Sequence, residues 1–145
     1  MTAGAPLPFT MQRMVFFALL FGMAMFTICV AVMLQSNDGK GLLSPPMLEL
    51  NIPVIAAGIA AAATALLLRT LLGRRAEAAP KEQRAAARFR ATLVPLALLE
   101  GACMFALVAW LLNGNPVPNL VVGLGVMSVA LAIVPMQDPD QERAG

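Results

Sequence analysis

One carboxylate stands in the middle of an apolar stretch, Ala97-Leu98-Leu99-Glu100-Gly101-Ala102-Cys103-Met104-Phe105. Arg90 lies ten residues before Glu100, and no charged residue follows until Asp138. On a helix rising about 1.5 Å per residue, Glu100 is roughly 15 Å from the nearest charge on its own segment. That distance puts it near the midplane of a hydrocarbon core about 30 Å thick. A charge at that depth costs at least ~2.5–3.5 kcal/mol on insertion scales, and ionisable residues placed there mark functional sites. Burial favours the neutral form, so the expectation is a carboxyl carried protonated until it meets water or a basic group. The chemistry this permits is proton transfer or ion pairing, with Glu100 as the candidate ion-binding residue. A sodium site would need several oxygen ligands. Gly101 supplies no side-chain oxygen, which points to protons. Thr64, Ser128 and Thr27 are the candidate hydrogen-bonding supports at similar depth, with Cys103 one turn along. Gly22 and Gly101 are candidate notches for helix contact.

Other chemistries find no residues to carry them. There is no His, and Cys29 and Cys103 form no CxxC pair. No metal site or disulfide is expected, and both cysteines read as small apolar filler. No nucleophile–base pair or phosphate-binding glycine loop is present, so neither enzymatic activity nor a cofactor is expected.

The elements that must position Glu100 are membrane helices. The chain of 145 residues is 59% hydrophobic and 12% charged, about half the charged fraction of a soluble domain, which is roughly 25%. A bilayer admits only helices and closed barrels, and the apolar runs here do not alternate. The expected fold is all-α: a polytopic integral membrane protein with four transmembrane helices at 14–34, 52–72, 91–112 and 120–136, forming two hairpins. A cytoplasmic arm, 1–13, precedes the 14–136 domain, and an acidic tail, 137–145, follows it. The first run is too long for the apolar core of a secretory signal and lacks its cleavage site, so it is expected to remain in the mature protein. Pro95 should bend the third helix. Trp110, near that helix's far end, reads as an interfacial anchor. Met14, Met23, Met25 and Met33 on the first helix read as packing or lipid contact.

The loop 73–90 is basic. With Arg69 it contributes Arg74, Arg75, Lys81, Arg84, Arg88 and Arg90, against Glu77 and Glu82. Basic residues collect on the cytoplasmic side. The loop and both termini are therefore expected in the cytoplasm, at the inner membrane. The same residues suit anionic lipid headgroups, at about 1 kcal/mol per basic residue near the surface. Nucleic acid is not an expected partner.

Two further patterns concern Glu100. Ala18-Leu19-Leu20-Phe21-Gly22-Met23-Ala24-Met25-Phe26 matches the opening stretch at six of nine positions, 79 residues earlier. The first and third helices are thus candidate duplicates, with Phe21 in the place of Glu100. Then there is the order of parts across 51–113. Small residues run from Ala56 through Ala65; Arg74-Arg75-Ala76-Glu77-Ala78-Ala79-Pro80-Lys81-Glu82 follows, then Thr92, then Ala97-Leu98-Leu99-Glu100-Gly101-Ala102. This segment resembles the proteolipid, subunit c, of rotary ATP synthases and V-type ATPases. Most of that family's repeated glycines are alanines here, and the order of helices is permuted. The resemblance implies a non-enzymatic subunit that translocates protons through Glu100 and self-associates in a ring. The alternative is an accessory subunit of a larger inner-membrane complex, with Glu100 as an assembly contact. Either way the expected partners are membrane lipid and other membrane subunits.

Overall fold

The computed structural model describes residues 9–135. Four α-helices make up the fold: α1 (Phe9–Ser36), α2 (Asn51–Ala78), α3 (Lys81–Asn113) and α4 (Asn119–Ile133). The all-α expectation holds. The first three helices are long and apolar enough to cross a membrane, and the chain is a membrane protein. At ~1.5 Å per residue the 15 residues of α4 cover only about 22 Å, short of a hydrocarbon core of about 30 Å. The expected fourth span, 120–136, is therefore longer than the helix that forms, and its last residue lies outside the described residues, as do the tail 137–145 and most of the arm.

Local chemistry explains the boundaries. Pro53 falls in the first turn of α2, where a missing N–H costs nothing. Extended Ala79 and Pro80 separate α2 from α3, and Glu82 sits in the first turn of α3, where a negative charge suits the helix dipole. Most of the basic loop is thus helical: α2 runs through Arg74 and Arg75, and α3 begins at Lys81. α3 continues unbroken through the buried Pro95. It stops at Gly114, whose φ of 71° is left-handed and whose N–H donates to the Trp110 carbonyl at 2.8 Å.

α3 is the central helix, packed by the other three; α1 rests mainly on α3 and touches α4 less. The core is built from Phe16, Leu20, Met23, Leu96, Leu99, Leu107 and Ile133, among others. Trp110 belongs to it at 8% exposure. The expectation of an interfacial anchor is therefore corrected: the indole packs inside the bundle.

The end of the bundle opposite the basic hairpin is tied by polar groups. After α1 the chain crosses to the end of α3, with Gly41 so close to Leu112, Asn113 and Gly114 that a Cβ would overlap their backbone. Leu42 and Leu43 donate N–H bonds to the carbonyls of Leu111 and Leu112, and Met47 donates to Asn113 Oδ1. The first two satisfy carbonyls that a helix end leaves open. Asn119, fully buried, donates from Nδ2 to Asn51 Oδ1 at 3.3 Å and to the Asn115 carbonyl at 3.4 Å. One asparagine thereby joins the starts of α2 and α4.

Candidate functional site: the seam between the first and third helices

α1 and α3 run parallel. Near the basic end, the rings of Phe16 and Phe89 stack with centroids 5.5 Å apart. At the other end, the residues after α1 meet the end of α3. Between these contacts Glu100 lies against Gly22: a Cβ built on Gly22 would stand 4.0 Å from Glu100 Oε1. The two copies of the repeated motif therefore lie side by side at nearly one depth.

The direction of the Glu100 side chain follows from its place on the helix. Val94, Leu98, Gly101, Phe105 and Val108 form an exposed stripe on α3, and Leu96, Leu99, Cys103, Leu107 and Trp110 form the buried one. Glu100 falls on the flank between them, toward α1, and is half-buried. Its carboxylate has a glycine on one side, and the residue keeps partial exposure.

The expected supports do not converge on it. Thr27 donates to the Met23 carbonyl at 2.8 Å, and Ser128 donates to the Leu124 carbonyl at 2.9 Å. Both are hydroxyls in apolar helices that bond back one turn, which satisfies them locally. Thr64 and Ser128 are exposed. The Cys103 thiol is buried and points to α4, donating to the Gly123 carbonyl at 3.6 Å. Gly101 is exposed with open space beside it, so of the two candidate notches only Gly22 receives anything. Among the described residues no side chain or backbone N–H donates to the Glu100 carboxylate, and no group of three His, Cys, Asp or Glu could hold a metal ion.

The basic residues divide by burial. Arg74, Arg75, Lys81 and Arg90 are exposed, whereas Arg69, Arg84 and Arg88 are partly buried. None lies at the depth of Glu100. Two residues escaped sequence reasoning. Asn119 is a buried tie; Gly22, expected only as a helix notch, is also the surface against which the carboxylate lies. The repeat offset was the available signal for Gly22, because it puts Gly22 one residue past the level of Glu100. No known protein family, characterised protein or solved structure matches the chain.

Proposed function

We propose that the chain is a non-enzymatic membrane subunit whose Glu100 takes up and releases a proton within the bilayer. One observation carries this reading: a half-buried carboxylate deep in an apolar helix, with no donor beside it among the described residues. A permanent structural role inside the bundle would require a partner, because a polar group left unpaired in hydrocarbon is costly. A site that must load and discharge a proton has reason to lack one. The open flank of α3 leaves the carboxyl reachable by a neighbouring subunit or an aqueous path. In this proposal the protein works as a proteolipid of the subunit c type, in the inner membrane, with the basic hairpin and both termini in the cytoplasm.

The second reading is an accessory subunit in which Glu100 pairs with a basic group of a neighbour. The central place of α3 favours it, since only the narrow stripe around Gly101 faces outward. Particle mass in mild detergent separates the two. A ring of identical chains supports the proteolipid reading. Low-copy co-purification with unrelated membrane subunits, lost in Glu100→Gln, supports the accessory one. A stable monomer with no companion would contradict both.

A further inference from the structure

α4 is far shorter than its neighbours. At ~1.5 Å per residue it covers about 22 Å, against about 42 Å for α2 and about 50 Å for α3. Along that length it fills the groove between them. Gly58 of α2 receives Val122, and Gly123 packs on Leu107 and Ala106 of α3. α2 and α4 run parallel, so continuing the Gly58–Val122 register brings Arg69 level with Ile133, where α4 ends. Toward the basic end, the groove between α2 and α3 therefore continues without α4.

The lining changes at the same level. On α2 the buried series Val54, Gly58, Ala61 and Ala65 is continued at helical spacing by Arg69. On α3 the buried series Leu99, Pro95 and Ala91 is continued toward the hairpin by Arg84, two turns before Ala91. Both guanidinium groups are partly enclosed and incompletely bonded. Arg69 Nη1 is buried with no acceptor among the described residues. Arg84 donates from Nη2 to the Ala79 carbonyl at 3.2 Å, but its Nε is buried with no acceptor. An enclosed guanidinium lacking a counter-charge is strongly unfavourable. Glu82 is exposed on the hairpin, and Glu100 is about ten residues deeper in the bundle.

We propose that the groove at the foot of α4 binds the phosphate of an anionic phospholipid, with Arg69 as its principal ligand and Arg84, nearer the turn, meeting the rest of the headgroup. Three features select this occupant. The planar fork of arginine matches a phosphate in a bidentate way that an ammonium does not. Arg69 sits near the end of the apolar part of α2, the level at which headgroup phosphates lie. The surrounding hairpin is basic, which concentrates anionic lipid there.

The test uses the full chain, purified in mild detergent with equal phosphatidylglycerol and phosphatidylcholine, and reads retained lipid by native mass spectrometry. The wild type is expected to retain phosphatidylglycerol. Arg69→Gln should lower retention at least about tenfold. Arg75→Gln, on the exposed side of the same hairpin, should cost no more than the roughly fivefold that one surface charge is worth. Arg69→Lys keeps the charge and loses the fork; a several-fold loss supports the site even where Arg69→Gln fails to fold. Removal of residues 137–145, which carry Asp138, Asp140 and Glu142, should leave retention unchanged. Four results would overturn the proposal: equal losses in Arg69→Gln and Arg75→Gln; no preference for the anionic lipid; displacement of the lipid by millimolar inorganic phosphate; or retention that appears only when 137–145 is removed.

Discussion

The two copies of the repeated motif share six of nine residues and are opposite in setting. On α1, Phe21 is 66% exposed and points away from the bundle, while the following Gly22 faces Glu100. On α3, Glu100 turns into the seam, while the following Gly101 faces open space. A symmetric pair would place Phe21 against Gly101 as Glu100 lies against Gly22. The pair is not symmetric, because α3 is surrounded by three helices and α1 leans on one side of it. The difference shows that the surroundings of a helix, more than its local sequence, decide which way a motif faces. It also shows what Gly22 provides: a stretch of helix surface without a side chain, against which a carboxyl can rest.

Exchanging features between the copies tests this asymmetry. The largest effect is expected for Phe21→Glu. It would put a second carboxylate at midmembrane depth on a lipid-facing surface, at a cost of about 2.5–3.5 kcal/mol on insertion scales. Insertion efficiency and detergent-extracted yield should both fall, and a yield equal to wild type would mean that Phe21 is not at that depth. Next is Gly22→Leu. The side chain must displace Glu100 from the seam, and overpacking of this kind typically costs 1–3 kcal/mol. The melting temperature in detergent should drop accordingly. Gly101→Leu is the same change on the other copy, where a Cβ meets nothing within 4 Å. It should shift stability by less than about 0.5 kcal/mol, as surface substitutions usually do. Equal melting temperatures for the two leucine variants would remove the asymmetry from the account. Gly58→Ala supplies a reference away from the motif. Its new methyl overlaps Val122, so it should destabilise the bundle, whereas Gly22→Ala, at 4.0 Å from Glu100 Oε1, should be close to neutral.

Much of this was legible in the sequence along the helix axis and little of it around the axis. The four helices follow from the lengths of apolar runs and from turn residues. The side of α3 on which Glu100 lies does not. In water an amphipathic stripe reveals a buried face; in a bilayer lipid tails are as apolar as leucine, and the stripe disappears. Val94 and Leu96 are equally apolar, yet one faces outward and the other is fully buried. For the same reason the sequence could not say that Thr27, Thr64 and Ser128 face away from Glu100. Trp110 was assigned to the membrane interface from depth alone, and the packing of α3 at the bundle centre moved it inside. The buried Asn119 was hidden for another reason. Its partner Asn51 is 68 residues away, and no local pattern announces such a pair.

The central claim is that Glu100 is a protonatable carboxyl reachable from outside the bundle. Labelling by a hydrophobic carbodiimide tests it most directly, because the reagent partitions into lipid and reacts with a protonated carboxyl. The account predicts a single adduct that maps to Glu100, falls away as pH rises, and is absent from Glu100→Gln. Gly22→Leu should alter its rate, whereas Gly101→Leu should leave it close to wild type. No adduct at any pH, or an adduct that persists in Glu100→Gln, would contradict the account.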